Sequence, residues 1–448
     1  MSLDRRDFLR IGAVGVGTVL APRFADAEPQ YRPDKQRSMF GYAAPPIPNV
    51  RIGFVGVGGM GTAHVENLLK IPNCEILAVC DIVPDRVERA QKMCVDAGKT
   101  KPEGYTEGPN DYKRLCRRDD LDLVYIATPW EWHVPMCLEA MNRGKHAAVE
   151  VPAALTIKEC WSLVDTSERT RRHCIMMENC NYDRAEMMIL RMVKEGVLGE
   201  LLYAECGYLH DLREVKHDMD GEGVWRRAHS MKRNGDLYPT HGLGPVAQCF
   251  DINRGNRIES LVSFGTKSRG LRRYALNRFG ADSAQAKEKF VLSDIVTTML
   301  RTTRGETIVV KHDTSSPRPY SRDILVQGTN GLVRKYPEPK VHIEGTSPAH
   351  KWDAVDEWMK KYQHPIWTQL EEQSKGAGHG GMDFIEDFRL IRALHEGLVP
   401  DMDVYDAAMM SAVTELSGRS IKQGNAPQRF PDFTRGEWKK ERALPVMV

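Results

Sequence analysis

Residues 51–61 read Arg-Ile-Gly-Phe-Val-Gly-Val-Gly-Gly-Met-Gly, an apolar strand that runs straight into a glycine-rich turn. In this spacing Gly56 permits the tight turn, and Gly58 lets the backbone approach a pyrophosphate. Gly61 then allows the next helix to pack close to the strand. The N-terminus of that helix offers free N–H groups and a favourable dipole to the phosphates. Twenty residues past Gly61, Asp81 stands at the end of the apolar run Cys74–Cys80. An acidic side chain there accepts from both hydroxyls of an adenosine ribose. Ile82 and Val83 follow it, with no arginine directly behind, which favours NAD over NADP.

The surrounding pattern alternates strand and helix. Apolar strands are expected at Val50–Val57, Cys74–Cys80, Leu123–Ala127 and His146–Val149, with helices over Gly61–Lys70, Pro84–Ala97 and Val134–Arg143. Continuous apolar strands separated by helices indicate a doubly wound parallel sheet of the Rossmann type. After about residue 185 the pattern changes to strands with longer polar connections, at Leu201–Tyr208, Ile258–Phe264, Ile295–Arg301, Thr307–His312 and Asp323–Gln327. The fold class is therefore α/β, an N-terminal Rossmann sheet joined to a C-terminal α+β domain with a large antiparallel sheet. Residues 49–184 are assigned to the NAD-binding domain and 185–448 to a substrate and oligomerisation domain. Within the latter, 403–422 reads as an amphipathic helix capped by Asp403.

The N-terminus carries Arg5-Arg6-Asp7-Phe8-Leu9-Arg10, an apolar run from Ile11 to Ala21, and small residues at Ala25-Asp26-Ala27. This is the layout of a twin-arginine export signal over 1–27, with a mature chain beginning near Glu28 and working in the periplasm or beyond. The apolar run is too short to span a bilayer, so no membrane span is expected in the mature form. Residues 28–48, rich in proline, form an extended arm. A formal charge of +2 over 448 residues gives no reason to expect nucleic acid as a partner. Ten cysteines are scattered without a CxxC pair. They read as buried structural thiols, since twin-arginine substrates fold before export in a reducing compartment.

Further motifs lie after the strands. Thr128-Pro129-Trp130-Glu131-Trp132-His133, Gly144-Lys145-His146 and Glu150-Val151-Pro152 resemble the superfamily of glucose–fructose oxidoreductase and inositol dehydrogenase. That superfamily usually has an active-site lysine where this chain has Val151, a side chain that cannot donate a proton. Together with Tyr238-Pro239-Thr240-His241-Gly242, Trp225-Arg226 and His379-Gly380-Gly381-Met382-Asp383, the sequence resembles glycoside hydrolase family 109, the NAD-dependent α-N-acetylgalactosaminidases.

The resemblance implies hydrolysis by way of redox chemistry, with retention at carbon 1. Hydride leaves carbon 3 of the sugar for NAD⁺, and the resulting ketone acidifies the hydrogen on carbon 2. Elimination expels the glycosidic oxygen from carbon 1, water adds, and the hydride returns. Such a cofactor needs no resupply outside the cytoplasm. By the same resemblance Gly56, Gly58, Met60, Gly61, Asp81, Trp130, Glu131, Trp132, His133, Glu150, Val151 and Asn179 hold the cofactor. Tyr208, Arg226, Tyr238, Thr240, His241 and Tyr320 line the sugar, a small-molecule or glycan substrate. His241 suits the carbon 3 hydroxyl because imidazole titrates near neutrality. Tyr182 is the expected base at carbon 2, its phenol depressed by the nearby nicotinamide charge, and Glu150 is expected to orient sugar or ring.

Sequence alone leaves Arg226 and Arg227 interchangeable. The stretch Asp211, Glu214, His217, Asp218, Asp220 and Glu222 lacks calcium-loop spacing, and no zinc motif is present. It reads as a loop over the active site, and no metal is expected. A sugar oxidoreductase exchanging hydride between two sugars is the alternative activity, and a silent sugar-binding protein the alternative class. Antiparallel sheets in this superfamily often pair, which allows a homodimer.

Overall fold

The apolar stretch before the glycine turn forms strand β1, Val50–Val55, with all but one residue buried. In the computed structural model, which describes residues 31–34 and 36–447, five more strands join it. They are β2 (Cys74–Cys80), β3 (Glu103–Tyr105), β4 (Leu123–Ile126), β5 (His146–Glu150) and β6 (Cys174–Met177). All pairs are parallel, in the order β3-β2-β1-β4-β5-β6. The order reverses between β1 and β4, so the crevice for a ligand opens outside the carboxyl ends of these strands. Each cofactor motif leaves that edge: Gly56–Gly61 follows β1, Thr128–His133 follows β4, Glu150 ends β5, and Asn179 lies just past β6. The twin-arginine segment lies outside the described residues.

The second sheet holds nine strands. They are β7 (Leu201–Leu209), β8 (Ile258–Gly265), β9 (Ile295–Thr302), β10 (Thr307–Asp313), β11 (Leu325–Gly328), β12 (Gly331–Arg334), β13 (Lys340–Ile343), β14 (Asp353–Ala354) and β15 (Gln428–Arg429). The order is β14-β13-β12-β11-β7-β10-β9-β8-β15. Its pairs are antiparallel except β7 with β10, which run parallel. The helices between residues 210 and 257 carry the chain across the sheet before β8, and a parallel pair requires a crossover of this kind. Along β9 exposed and buried residues alternate strictly. One face thus meets the core while Phe264, Ile295 and Met299 project from the other.

The helix Val404–Lys422 departs from the amphipathic reading. It packs against β6 of the first sheet, β8 of the second and the helix Ile157–Thr170, and Val404 to Val413 are all buried. Its polar residues are spent on both halves of the chain. Ser411 Oγ accepts from Ala154 N–H, Ser417 Oγ from Asp236 N–H, and Ser420 Oγ from Ser263 N–H. These three hydroxyls let most of the helix be buried because each finds a backbone donor, while Arg419 and Lys422 stay exposed near its end.

The arm is also tied down. Met39 N–H donates to Tyr405 Oη at 3.0 Å, and Ile47 N–H donates to the Leu394 carbonyl. All ten cysteines are buried with free thiols. Among the described residues no helix is long and apolar enough to cross a membrane.

Asp403 starts the buried helix through a capping box with Asp406 and also pairs with Arg442 at 2.5 Å. Asp403→Ala should therefore lower unfolding free energy by about 1–2 kcal/mol. Equilibrium urea denaturation checks this, and an unchanged midpoint would show that the helix end is held by other contacts.

Candidate active site

The glycine turn meets the geometric demands of a dinucleotide. Gly56 has φ +88°, and a Cβ on it would lie 2.4 Å from the Ala127 carbonyl oxygen. A Cβ on Gly61 would come within 1.9 Å of the Gly56 carbonyl, so neither position tolerates a side chain. Above Gly59 nothing lies within 4 Å, and Gly58 would meet only the tip of Arg86. Two glycines shape the turn and two leave its surface bare, as a pyrophosphate at the N-terminus of the helix Gly59–Leu68 requires. Asp81 accepts from Val57 N–H at 3.0 Å and from Val83 N–H at 2.9 Å, which fixes its carboxylate at the end of β2. Arg86, one turn into the next helix, reaches to 3.7 Å from Asp81. Reading only the residues directly after Asp81 missed it. Its partner is the aspartate, so it does not stand free for an added phosphate.

On the far side of the crevice, aromatic rings enclose a second space. Tyr208 and Tyr238 lie 4.6 Å apart between ring centroids, and His241 stands edge-on to both, at 5.4 and 4.8 Å. Tyr320, half exposed, continues the wall beside Tyr208 and His210. Arg226 lies over Trp225, Trp130 and Tyr238, at 4.5, 5.3 and 5.5 Å from their rings. Arg227 instead turns to Glu288 at 3.5 Å, so the structure assigns the cage arginine to 226. Burial raises the Tyr208 phenol to about 12 despite Arg226 nearby, and raises Tyr238 well above its usual value. Both phenols stay protonated and act as hydrogen-bond donors. Rings with hydroxyl tips and a guanidinium offer a sugar both stacking faces and polar partners.

Between crevice and cage sits His241. Its Nδ1 lies 2.8 Å from Glu178 Oε1, and Glu178 is completely buried at the end of β6. Burial works to raise the Glu178 carboxyl, but His241 and the Cys180 N–H outweigh it and hold it below the ordinary 4.5. The carboxylate accepts the hydrogen bond of Nδ1–H, which leaves Nε2 as the base. Sequence reasoning passed over Glu178, although an acidic residue ending a wholly apolar strand beside Asn179 was a visible signal. Glu178, Cys180 and His241 bring ligand-type atoms within 4.8 Å of one another. Within this group the carboxylate and the imidazole are hydrogen-bonded to each other at 2.8 Å.

Glu150, at the end of β5, places Oε1 2.7 Å from His64 Nε2, while Val151 N–H donates to Oε2. Val151 itself is buried. Asn179 donates to Asp383, which also binds His379 Nδ1 at 2.8 Å. A cavity of about 580 Å³ opens beside His379, lined by Asp183, Arg184, Trp367 and Lys375. The acidic stretch is not a loop throughout, since Arg213–His217 is a short helix and Glu222 opens the helix Glu222–Lys232. Asp211 pairs with Arg213, and Glu222 with Arg226 within that second helix.

Several expected roles change. Tyr182 is buried, and its hydroxyl donates to Asp401 at 3.0 Å beside Arg389. Burial, with Asp401 adding to it, pushes the phenol well above its ordinary value, the reverse of what a base needs. Tyr182 is a packing residue. The His133 ring is fully buried between the Thr128 and Pro152 carbonyls, at 2.7 and 2.8 Å, so it braces two loops at the edge of the crevice. Thr240 is fully buried against Glu178. Trp132 packs edge-on to Tyr112, and Glu131 is exposed beside His229, while Trp130 joins the cage.

Fold and crevice define a protein of the NAD-binding oxidoreductase class. Residues 50–178 match the family described as oxidoreductase family, NAD-binding Rossmann fold, and residues 182–440 that described as glycosyl hydrolase 109, C-terminal domain. Over its whole length the chain is 43% identical to a glycosyl hydrolase family 109 protein of Shewanella pealeana, covering all of it. It is also 43% identical to an alpha-N-acetylgalactosaminidase of Shewanella oneidensis, covering 99% of that protein. The chain belongs to glycosyl hydrolase family 109, and it is a glycosidase with an NAD cofactor. Among solved structures it resembles a levoglucosan dehydrogenase in complex with NADH and levoglucosan, with TM-score 0.68 and 19% identity over 86% of this chain and all of that one. An inositol dehydrogenase homolog from Azotobacter vinelandii complexed with NAD⁺ gives 0.65 at 18% identity, over 87% of this chain and 99% of that one. These two likenesses concern the fold.

A carboxyl held below its unfolded value contributes stability that is present above about pH 4.5 and lost as pH falls through the lower native value. His241→Gln removes the imidazole that holds Glu178 down. The difference in unfolding free energy between about pH 7 and about pH 3 should then shrink by roughly 1 kcal/mol. An unchanged difference in urea titrations would mean that the pair does not form.

Proposed function

We propose that this chain is an exported α-N-acetylgalactosaminidase that cleaves terminal sugars, with retention, by transient oxidation at carbon 3. The observation that carries this reading is His241, oriented by buried Glu178 where the cofactor crevice meets the aromatic cage. Bound NAD⁺ supplies a hydride acceptor that is restored within each turnover. The chain's own residues do the rest. His241 Nε2 takes the proton of the carbon 3 hydroxyl and later returns it. A ketone at carbon 3 makes the carbon 2 hydrogen acidic, and with Tyr182 excluded, Glu150 is the group at the crevice that can remove it. Loss of the glycosidic oxygen from carbon 1 and addition of water complete the cleavage. Tyr208 and Tyr238, kept protonated, hold sugar oxygens as donors, and Arg226 closes the cage over them.

A second support comes from what the carboxylates are doing. Glycosidases of the ordinary kind need one free carboxylate and one carboxylic acid across the scissile bond. Here Glu178 is bound to His241 and Asp383 to His379, so neither stands free as a second carboxyl opposite Glu150. Export is supported by Arg5 and Arg6 before the apolar run and suits a cofactor that ends each turnover as it began. The exposed Phe264 and Met299 on the open sheet support pairing of two copies.

Purified protein, with no cofactor added, should release the phenol from an aryl α-N-acetylgalactosaminide in deuterated water and place deuterium at carbon 2 of the sugar. Release without deuterium there would rule out elimination. Growth of reduced cofactor with free sugars, and no release, would move the assignment to a sugar oxidoreductase.

A further inference from the structure

Behind Glu150 lies a buried chain of charged groups that the reaction above does not use. His64, on the first helix after the glycine turn, is wholly buried and touches a carboxylate at each ring nitrogen. Nε2 lies 2.7 Å from Glu150 Oε1, and Nδ1 lies 2.8 Å from Asp387 Oδ2. Asp387 comes from the helix Met382–Glu396 of the second half, is itself fully buried, and also accepts from Asn67 and from the Tyr125 hydroxyl, each at 2.9 Å. The Tyr125 hydroxyl also lies 2.9 Å from Nδ1 but gives its proton to Asp387 Oδ1. A ring facing a carboxylate at each nitrogen therefore satisfies both only by carrying two protons. Burial alone would lower the His64 pKa, but Asp387 and Glu150 outweigh it and raise the ring well above its usual value.

We propose that His64 and Asp387 are positioning residues of the active site: an imidazolium locked by Asp387 from behind holds the Glu150 carboxylate at the mouth of the crevice. The inference rests on the reading of Glu150 given above and extends it to two residues that touch neither sugar nor cofactor. The arrangement converts a flexible carboxylate into one with a fixed direction, because Oε1 is bound to His64 and Oε2 faces Val151 N–H. It also links three parts of the machinery. His64 shares a helix with the cofactor turn, Glu150 ends β5, and Asp387 follows Asp383, which binds Asn179 and His379, by four residues on one helix.

The other titratable groups around this chain are Glu386, Asp383, His379, Tyr125, Tyr238 and His133. Burial, together with Glu150, Asp387 and Asp383, raises the Glu386 carboxyl well above its usual value, and both its oxygens are buried without hydrogen-bond partners. It is thus held as a neutral acid and adds no competing charge beside His64. Tyr125 and Tyr238 are likewise raised and neutral. At His133 burial outweighs two carbonyl acceptors, which carry no full charge as the carboxylates at His64 do, and lowers the ring. His379, raised by its bond to Asp383, is matched by that carboxylate. The charge facing Glu150 within hydrogen-bond distance is therefore that of His64.

Two measurements on the holoprotein test this together. In protein labelled with ¹⁵N at histidine, the His64 ring should stay doubly protonated through about pH 8. In Asp387→Asn it should lose a proton near neutrality. Under the same conditions Asp387→Asn and His64→Gln should move the acid limb of kcat upward by about one pH unit, with kcat at mildly acidic pH falling roughly tenfold. KM and the NAD retained per chain should stay near wild type. The double variant His64→Gln/Asp387→Asn replaces both charges with amides of similar size, so it keeps the fold and shows the same upward-shifted acid limb. A neutral His64 in wild type at pH 7, or variants with an unmoved acid limb, would overturn the inference. If the wild type fails to cleave the glycoside at all, the functional reading falls, and the resonance of His64 still decides the charge state.

Discussion

Histidines bound to carboxylates fix the floor of the crevice, and each pair joins the carboxyl edge of the first sheet to another part of the chain. Glu178 at the end of β6 holds His241 on a helix of the second half. Glu150 at the end of β5 holds His64, which is gripped in turn by Asp387. Asn179, just past β6, reaches Asp383 and His379. A parallel sheet brings its strand ends to one edge, and these pairs decide what faces that edge. The cofactor turn, the base and the aromatic cage are therefore held by the same bonds that hold the two halves of the chain together.

Such pairs serve stability and chemistry at once. A buried charge left without its partner costs about 3–5 kcal/mol, whereas the intact pair adds little net stability. Their retention in the interior is therefore better explained by the orientation they impose than by strength. The neutral groups around them follow the same logic. Tyr208, Tyr238 and Glu386 are buried without an adequate counter-charge and stay protonated, which sorts the site into donors, carboxylates and imidazoles before any substrate enters.

The glycine spacing, Asp81 and the strand ends made the first sheet and the cofactor legible in the sequence, because backbone geometry there admits few residue types. The cage was legible only through resemblance, since Tyr208, Arg226, Tyr238 and Tyr320 are far apart along the chain and carry no local signal. His64 and Asp387 escaped notice for a related reason: each is a single polar residue in a helix, and only the packing of three elements shows that they meet. Tyr182 misled because its place after β6 sets the backbone but not the direction of the ring, which buried Asp401 captures. Helix Val404–Lys422 is more buried than its amphipathic reading, since Ser411, Ser417 and Ser420 are satisfied by backbone donors from both halves.

The central claim is that the glycosidic bond breaks only after the sugar is oxidised at carbon 3. An aryl α-N-acetylgalactosaminide lacking the carbon 3 hydroxyl tests it most directly, because it keeps the leaving group and the N-acetyl group but offers nothing to oxidise. The account predicts that the purified holoprotein binds this compound, as competition with the parent glycoside would show, and does not cleave it. Cleavage at a rate comparable to that of the parent would contradict the account and return the enzyme to a direct displacement at carbon 1.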